Sequence, residues 1–376
     1  VPQFHPLQLL SRDAIATDAF RLAFRVPAEL RDEFRFKPGQ HLTVRATLDG
    51  KLLQRSYSIV SCAGEPLAIG VRVQGVMSRH LAAGLRVGES IEVMKPYGRF
   101  TTSIDADASR SYLALAAGSG ITPILSIADA VLAGEPHSRF RLVYGNRDIE
   151  HTMFLPEVLA LKDRYLSRFA LHFVMSREPQ DTPLFNGRLD AARLRELAAR
   201  VFDVQAVDEF LICGPGSMVS ELSLALRELG VQGQIRAERF TAARDASPET
   251  LPDTSPNTSP DAGHLSESDR ARATSQHPDA DTTAVEVMVQ MDGRRRSFAM
   301  PATGRTVLEA AEAAGLELPF SCRDGICATC RAKVVDGQVR MTRSQGLEAW
   351  EVEAGFVLCC QAHPLTPRLT LSFDEK

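Results

Sequence analysis

The sequence predicts a multidomain fold: an antiparallel β-barrel, then an α/β unit on a parallel sheet, then, beyond a polar tether, a small α+β domain. Three observations predict it. Residues 4 to about 103 alternate apolar and polar side chains between turn signals, as half-buried strands do. From Tyr112 onward, apolar strand-like runs alternate with helical ones, the rhythm of βαβ units. Residues 245–283 are rich in Pro, Ser, Thr and Asp and contain no aromatic residue, and patterned sequence resumes at Ala284. The expected boundaries are therefore 1–105, 106–244, 245–283 and 284–376.

Bulk properties agree. A chain of 376 residues is too long for one ordinary domain. Its 44% hydrophobic and 24% charged residues are those of a globular protein, and a net charge of −4 argues against a general nucleic-acid binder. No apolar run reaches the length of a membrane span. The opening VPQFHPLQLL lacks the basic region and apolar core of a signal peptide, so the cytoplasm is the expected compartment. Five of the seven cysteines lie between 322 and 360. Such clustering points to a metal site in a reducing compartment rather than to a disulfide scaffold.

In the first segment the alternation is clear at Phe20, Leu22, Phe24 and Val26, and again at Ile69, Val71 and Val73. Pro38-Gly39 and Asp49-Gly50 supply turns, and several short strands so spaced suggest a closed barrel. In the second, YLALAAGSG is a strand entering a glycine-rich turn, and ITPILSIADAVLAG is a helix stopping at Gly134. RFRLVYG, FALHFVMS, EFLICGP and QIRAERF are further strands, with helices such as DAARLRELAARV between them. Residues 245–283 have too little apolar surface to offset their conformational entropy and read as a disordered tether, with an end-to-end distance of roughly 35 Å. In the last segment, VEVMVQMDGRRRSFAM reads as a hairpin about Asp292-Gly293. Thr306 then caps a helix that Gly315 ends.

The most specific motif is SCRDGICATC. Cys322-x4-Cys327-x2-Cys330 has the spacing of plant-type [2Fe–2S] centres, which need four thiolates. Gly325 suits a tight loop that turns backbone N–H groups toward sulfur. The fourth ligand lies in GFVLCCQAHP, where Cys359 and Cys360 compete; at a strand end only one can face the cluster. A zinc site is the alternative, but zinc prefers paired C-x2-C arms and only one is present. Such a cluster carries one electron at a time, whereas a nicotinamide delivers two. A chain joining them needs a flavin between, so flavin and nicotinamide sites are expected upstream.

Four motifs there fit. Gln54-Arg55-Ser56-Tyr57-Ser58 resembles the R-x-Y-S motif of the ferredoxin–NADP⁺ reductase superfamily; otherwise it is a strand with one exposed arginine. The resemblance implies that Arg55 pairs with the FAD pyrophosphate, Tyr57 packs on the flavin and Ser58 lies near its reactive nitrogen. Gly75-Val76-Met77-Ser78 would open a short helix suited to phosphate, although the family more often has glycine where Val76 stands. Gly118-Ser119-Gly120-Ile121-Thr122-Pro123 departs from G-x-G-x-x-G but resembles the superfamily's G-x-G-x-x-P turn, and a plain structural turn is the alternative. Cys213-Gly214-Pro215 ends a strand where open α/β sheets bind ligands. The resemblance implies that Cys213 lies beside the nicotinamide; otherwise it is a small core hydrophobe.

Ser176 and Arg177, with Arg147, resemble the residues that hold the 2′-phosphate of NADP, so NADPH is expected over NADH; surface arginines are the alternative. Glu238 and Phe240 end the reductase portion, where Phe240 would cover the flavin or simply fill the core. Cys62 has no assigned role. Residues 284–376 resemble a plant-type ferredoxin domain, which implies a β-grasp fold and Cys360 as the fourth ligand. As a whole the chain resembles the reductase subunits serving phenylacetyl-CoA-epoxidising multicomponent oxygenases. That implies electron flow from NADPH through FAD and [2Fe–2S] to a di-iron oxygenase component, with Ser58 and Cys213 shaping hydride transfer. The alternatives are a reductase for another aromatic, alkane or steroid hydroxylase, and a flavin and iron–sulfur redox sensor without turnover.

Overall fold

The computed structural model describes residues 3–61, 64–240, 284–347 and 349–375. Cys62 and the whole segment read as a tether, 245–283, lie outside the described residues.

The first unit contains β1 (Phe4–Ala16), β2 (Ala19–Arg25), β3 (His41–Leu48), β4 (Lys51–Ser58), β5 (Leu67–Arg72), the short helix α1 (Val76–Arg79) and β6 (Ser90–Met94). The strands form one sheet in the order β4-β3-β6-β1-β2-β5, each neighbour antiparallel. Its two edges meet: Ile59 bridges Ile69, and the Val60 N–H donates to Ala68 O at 2.9 Å. The sheet is thereby a closed barrel, filled by Leu7, Leu22, Leu42, Val44, Ile69 and Val93. The β3–β4 hairpin turns on Asp49 (φ 49°) and Gly50 (φ 72°), the left-handed pair of a type I′ turn.

The second unit alternates β7 (Ser111–Ala117), α2 (Ile121–Gly134), β8 (Arg139–Asn146), α3 (Leu155–Arg164), β9 (Phe169–Met175), α4 (Ala191–Arg200), β10 (Glu209–Pro215), α5 (Gly216–Glu228) and β11 (Gln234–Phe240). All five strands are parallel, in the order β11-β10-β7-β8-β9. Ile124, Val131 and Val158 of α2 and α3 pack on one face, Leu194, Leu197 and Leu222 of α4 and α5 on the other. Strand order reverses between β7 and β10, so a crevice opens at their carboxyl ends.

The third unit contains β12 (Ala284–Met291), β13 (Arg294–Pro301), α6 (Val307–Ala313), β14 (Arg331–Asp336), β15 (Val339–Met341), α7 (Ala349–Glu353), β16 (Phe356–Leu358), β17 (Ala362–Pro364) and β18 (Arg368–Ser372). Its main sheet runs β13-β12-β18-β14-β16, with only β12 and β18 parallel. Thr306 and Glu309 form a reciprocal capping box at α6, which buries Val307, Leu308, Ala310 and Ala311. Among the described residues, no helix is long and apolar enough to cross a membrane.

Candidate functional site

One cavity of about 780 Å³ is walled by all three units. The barrel contributes β4 and the turn after β6, the parallel sheet contributes the crevice end and β11, and the third unit contributes its cysteine loop. A flavin dinucleotide needs a pocket toward the upper end of the usual ligand range, and this one has that size.

On the barrel wall, β3 pairs with β4 so that His41, Leu42 and Thr43 face Ser58, Tyr57 and Ser56. The Tyr97 backbone pairs with His41 in both directions, at 2.8 and 3.0 Å, which brings Tyr97, Gly98 and Arg99 to the same wall. Burial holds the Tyr57 phenol well above its ordinary range, so it is a neutral aromatic surface with a hydroxyl donor. Burial pulls His41 down to about 4, so it too is neutral. Arg55 lines the cavity, and among the described residues its guanidinium has no carboxylate partner. A cation held only by the Gln54 carbonyl at 2.9 Å suits a phosphate.

At the crevice, the turn after β7 lies on the end of β10. A Cβ on Gly120 would fall 2.1 Å from Cys213 O, so only glycine allows these two backbones to touch. Cys213 is paired in register with Glu238 of β11, and its thiol lies 3.9 Å from Glu238 Oε2. Burial pushes the Cys213 thiol up, and Glu238 adds to the effect. Burial also pushes the Glu238 carboxyl up to about 8, so the pair is uncharged at neutral pH. Ser119, Thr122, Glu238 and Phe240 all line the cavity. Neutral, partly apolar walls beside an open crevice suit a flat nicotinamide or flavin ring.

The cysteine loop supplies the third wall, with Cys322 and Cys327 on the cavity. Arg323 (φ 61°), Gly325 (φ 72°) and Ala328 (φ 54°) are all left-handed, which rolls the loop's amides inward. The N–H groups of Asp324 and Cys327 point at Cys322 Sγ, each at 3.4 Å, and the Cys322 N–H points at Cys327 Sγ at 3.4 Å. The Cys327 thiol, then these amides, hold Cys322 down to about 6 against burial. Cys360 is likewise held down, first by a hydrogen bond from Cys330. Cys330 is buried beside them in the same cluster as Cys360. Four cysteines, three in one loop and one after a strand end, are the donor set a plant-type [2Fe–2S] cluster takes. Cys359 sits fully buried in the apolar core, its thiol pushed up by burial and its N–H bound to Cys330 O at 3.0 Å.

Other expected residues stand apart. Gly75, Val76, Met77 and Ser78 do not line the cavity, although Gln74 does. Met77 is in the barrel core, and the Ser78 hydroxyl accepts the N–H groups of Gln74 and Gly75 at 2.9 Å. Arg147, Ser176 and Arg177 lie together at the carboxyl ends of β8 and β9, where the Ser176 and Arg177 N–H groups bond to Asn146 O and Arg147 O. Arg147 pairs with Asp18 of the barrel at 3.2 Å, while Arg177 is exposed and, among the described residues, has no carboxylate partner. His41, Arg72, Tyr97, Arg99, Arg239 and Ser321 line the cavity without having been singled out as ligand contacts. Tyr97 and Arg99 lie in PYGRF, a segment whose residues suit a plain turn as well as a ligand site.

Three stretches of the chain match known protein families. Residues 6–102 match the oxidoreductase FAD-binding domain family, 114–223 the oxidoreductase NAD-binding domain family, and 289–365 the 2Fe-2S iron–sulfur cluster binding domain family. The chain is 38% identical to a subunit of 1,2-phenylacetyl-CoA epoxidase from Escherichia coli (strain K12), over 99% of this chain and 98% of that one. It is 31% identical to the ferredoxin reductase component of 3-ketosteroid-9-alpha-monooxygenase from Rhodococcus rhodochrous, over 95% and 93%. Among solved structures, phthalate dioxygenase reductase superposes over 98% of both chains with a TM-score of 0.52 at 22% identity, a likeness of fold.

Proposed function

The chain belongs to the family of oxygenase reductase subunits that join FAD-, NAD- and [2Fe–2S]-binding domains, and we propose that it serves a phenylacetyl-CoA epoxidase, taking electrons from NADPH and passing them to a di-iron oxygenase component. It is an oxidoreductase whose electrons run from a nicotinamide nucleotide through FAD to the cluster. Held at these sites, the cofactors would supply the redox chemistry that turns a two-electron hydride donor into a source of single electrons.

The protein's part is to hold and orient. Arg55 neutralises the flavin pyrophosphate, Tyr57 offers a ring face, and the buried Ser58 hydroxyl donates where negative charge develops. Gly118, Ser119 and Gly120, with Ile121, Thr122 and Pro123, let a dinucleotide approach the crevice. Cys213, Gly214 and Pro215, with Glu238 and Phe240, form an uncharged bed for the nicotinamide. Cys322, Cys327, Cys330 and Cys360 hold the cluster. Arg177 and Ser176, with Arg147 nearby, favour a 2′-phosphate and hence NADPH. The observation carrying this reading is the single cavity shared by Arg55–Ser58 of the barrel, Ser119, Thr122, Glu238 and Phe240 at the crevice, and Cys322 and Cys327 of the cysteine loop.

Identity of the partner rests on the 38% relative, and the 31% steroid-monooxygenase relative supports a second reading with the same electron path. A panel of purified oxygenase components separates them. NADPH oxidation coupled to epoxide formation from phenylacetyl-CoA is expected with the epoxidase component. Coupling only to steroid hydroxylation would replace the first reading by the second.

A further inference from the structure

Glu351 on α7 is 0% exposed and lies between two guanidinium groups from different units. Arg99 of the barrel grips it with both nitrogens, Nη2 lying 2.9 Å from Oε2. Arg331, the residue after Cys330, places Nε 2.8 Å from Oε1. Neither Glu351 nor Arg331 lines the cavity. Next to them, the 344–347 segment hangs between arginines of both reductase units. Arg99 Nη2 lies 3.5 Å from Gly346 O, and Arg239 donates to Gln345 O at 3.1 Å. The Gly346 N–H in turn donates to Gly325 O, inside the cysteine loop, at 2.8 Å. A hydrogen-bonded path therefore runs from the reductase arginines to the backbone around Cys322 and Cys327.

A buried carboxylate tolerates desolvation only while its cations stay in place. Arg331 belongs to the same unit as Glu351 and moves with it. Arg99 does not, so the full pairing exists only when the iron–sulfur unit is seated on the barrel.

We propose that Glu351 is the positioning residue that latches the iron–sulfur unit onto the flavin barrel through Arg99, and so sets how well the cluster loop faces the flavin cavity. The proposal rests on the electron path given above, but it concerns seating and not the chemistry of any cofactor. Release of Arg99 opens this face, freeing the unit to present its cluster to a partner.

The test uses the full-length holoprotein and Glu351→Gln, mixed anaerobically with NADPH, with flavin bleaching and cluster reduction followed separately. In Glu351→Gln, flavin reduction is expected within about twofold of wild type and cluster reduction slower by about tenfold or more, because one interaction across the interface is lost while the nicotinamide site is untouched. Hydrogen exchange should show residues 344–347 losing protection, with the cluster's visible spectrum unchanged. Wild-type rates for both steps with unchanged protection would overturn the latch. Should Glu351→Gln fail to assemble its cluster, Arg99→Gln decides by hydrogen exchange alone: retained protection of 344–347 overturns the proposal, lost protection supports it. Failure of wild type to reduce its flavin would instead refute the electron path, and the exchange arm would still judge the latch.

Discussion

The Ser56 hydroxyl donates to the Ser321 hydroxyl across 2.8 Å. Ser56 precedes Tyr57 on β4, and Ser321 precedes Cys322, so one hydrogen bond joins the flavin strand to the cysteine loop. Ser56 is itself held 3.3 Å from the Thr43 hydroxyl. A neutral hydrogen bond of this kind contributes about 1 kcal/mol. Ser321→Ala and Ser56→Ala should each slow cluster reduction by a few-fold, and the double variant should be no slower than the worse single one. Stopped-flow cluster reduction in the four proteins checks this; additive losses would show that the two hydroxyls act separately.

Gly120 is the tightest point of the crevice. In Gly120→Ala the new Cβ meets Cys213 O at 2.1 Å, so the turn and β10 must part. The expected result is a nicotinamide KM raised by about tenfold or more, with flavin and cluster content retained. Steady-state dye reduction measures the first and absorption the second. An unchanged KM would mean that nicotinamide binds elsewhere.

The adjacent thiols of Cys359 and Cys360 should behave oppositely. Both lie in the buried cluster, but the Cys360 thiol is held down, first by Cys330, and accepts from Gln361 Nε2 at 3.8 Å, whereas burial pushes the Cys359 thiol up. Cys360→Ala should abolish the cluster's absorption and iron content. Cys359→Ala should keep both and lose about 1 kcal/mol of thermal stability from a small core void. Iron analysis and thermal melts read the two effects, and the reverse result would exchange the ligand assignment.

Glu238 gives a pH dependence with a definite sign. Its folded carboxyl is pushed up to about 8 by burial, from an ordinary 4.5. Below 4.5 it is protonated in both folded and unfolded chains. Above that the unfolded chain releases its proton first, so the stability Glu238 contributes falls as pH rises and is lost by about 8. Glu238→Gln removes this loss. Thermal midpoints of the two proteins should therefore shift in favour of the variant between about pH 5 and pH 8. A constant difference across that window would contradict the raised carboxyl.

Much of this was readable from local sequence because the physics is local. Asp49-Gly50 and Asp292-Gly293 demand left-handed turns, and both adopt them. Gly118–Pro123 follows a strand and opens a helix, where a parallel sheet puts its crevice. Cys322, Cys327 and Cys330 share one loop, so their spacing alone reveals them. Seating of the iron–sulfur unit was not readable. Glu351 lies in AWEVE, whose charges look like a solvated helix face, and Arg99 lies in an ordinary turn; their pairing spans 252 residues. Ser78 shows the converse: the residue type suits a phosphate turn, but its hydroxyl is already used by its own backbone. The left-handed Arg323 and Ala328 were equally hidden, since only the cysteine loop's closure forces them there.

The chain is proposed to accept a pair of electrons from NADPH and to deliver them singly. This is tested most directly by anaerobic titration of the holoprotein with NADPH, then separately with NADH, followed by visible absorption. Loss of the flavin band and then of the cluster band, at lower concentrations of NADPH than of NADH, is the predicted result. A flavin that bleaches while the cluster stays oxidised at excess NADPH would contradict it.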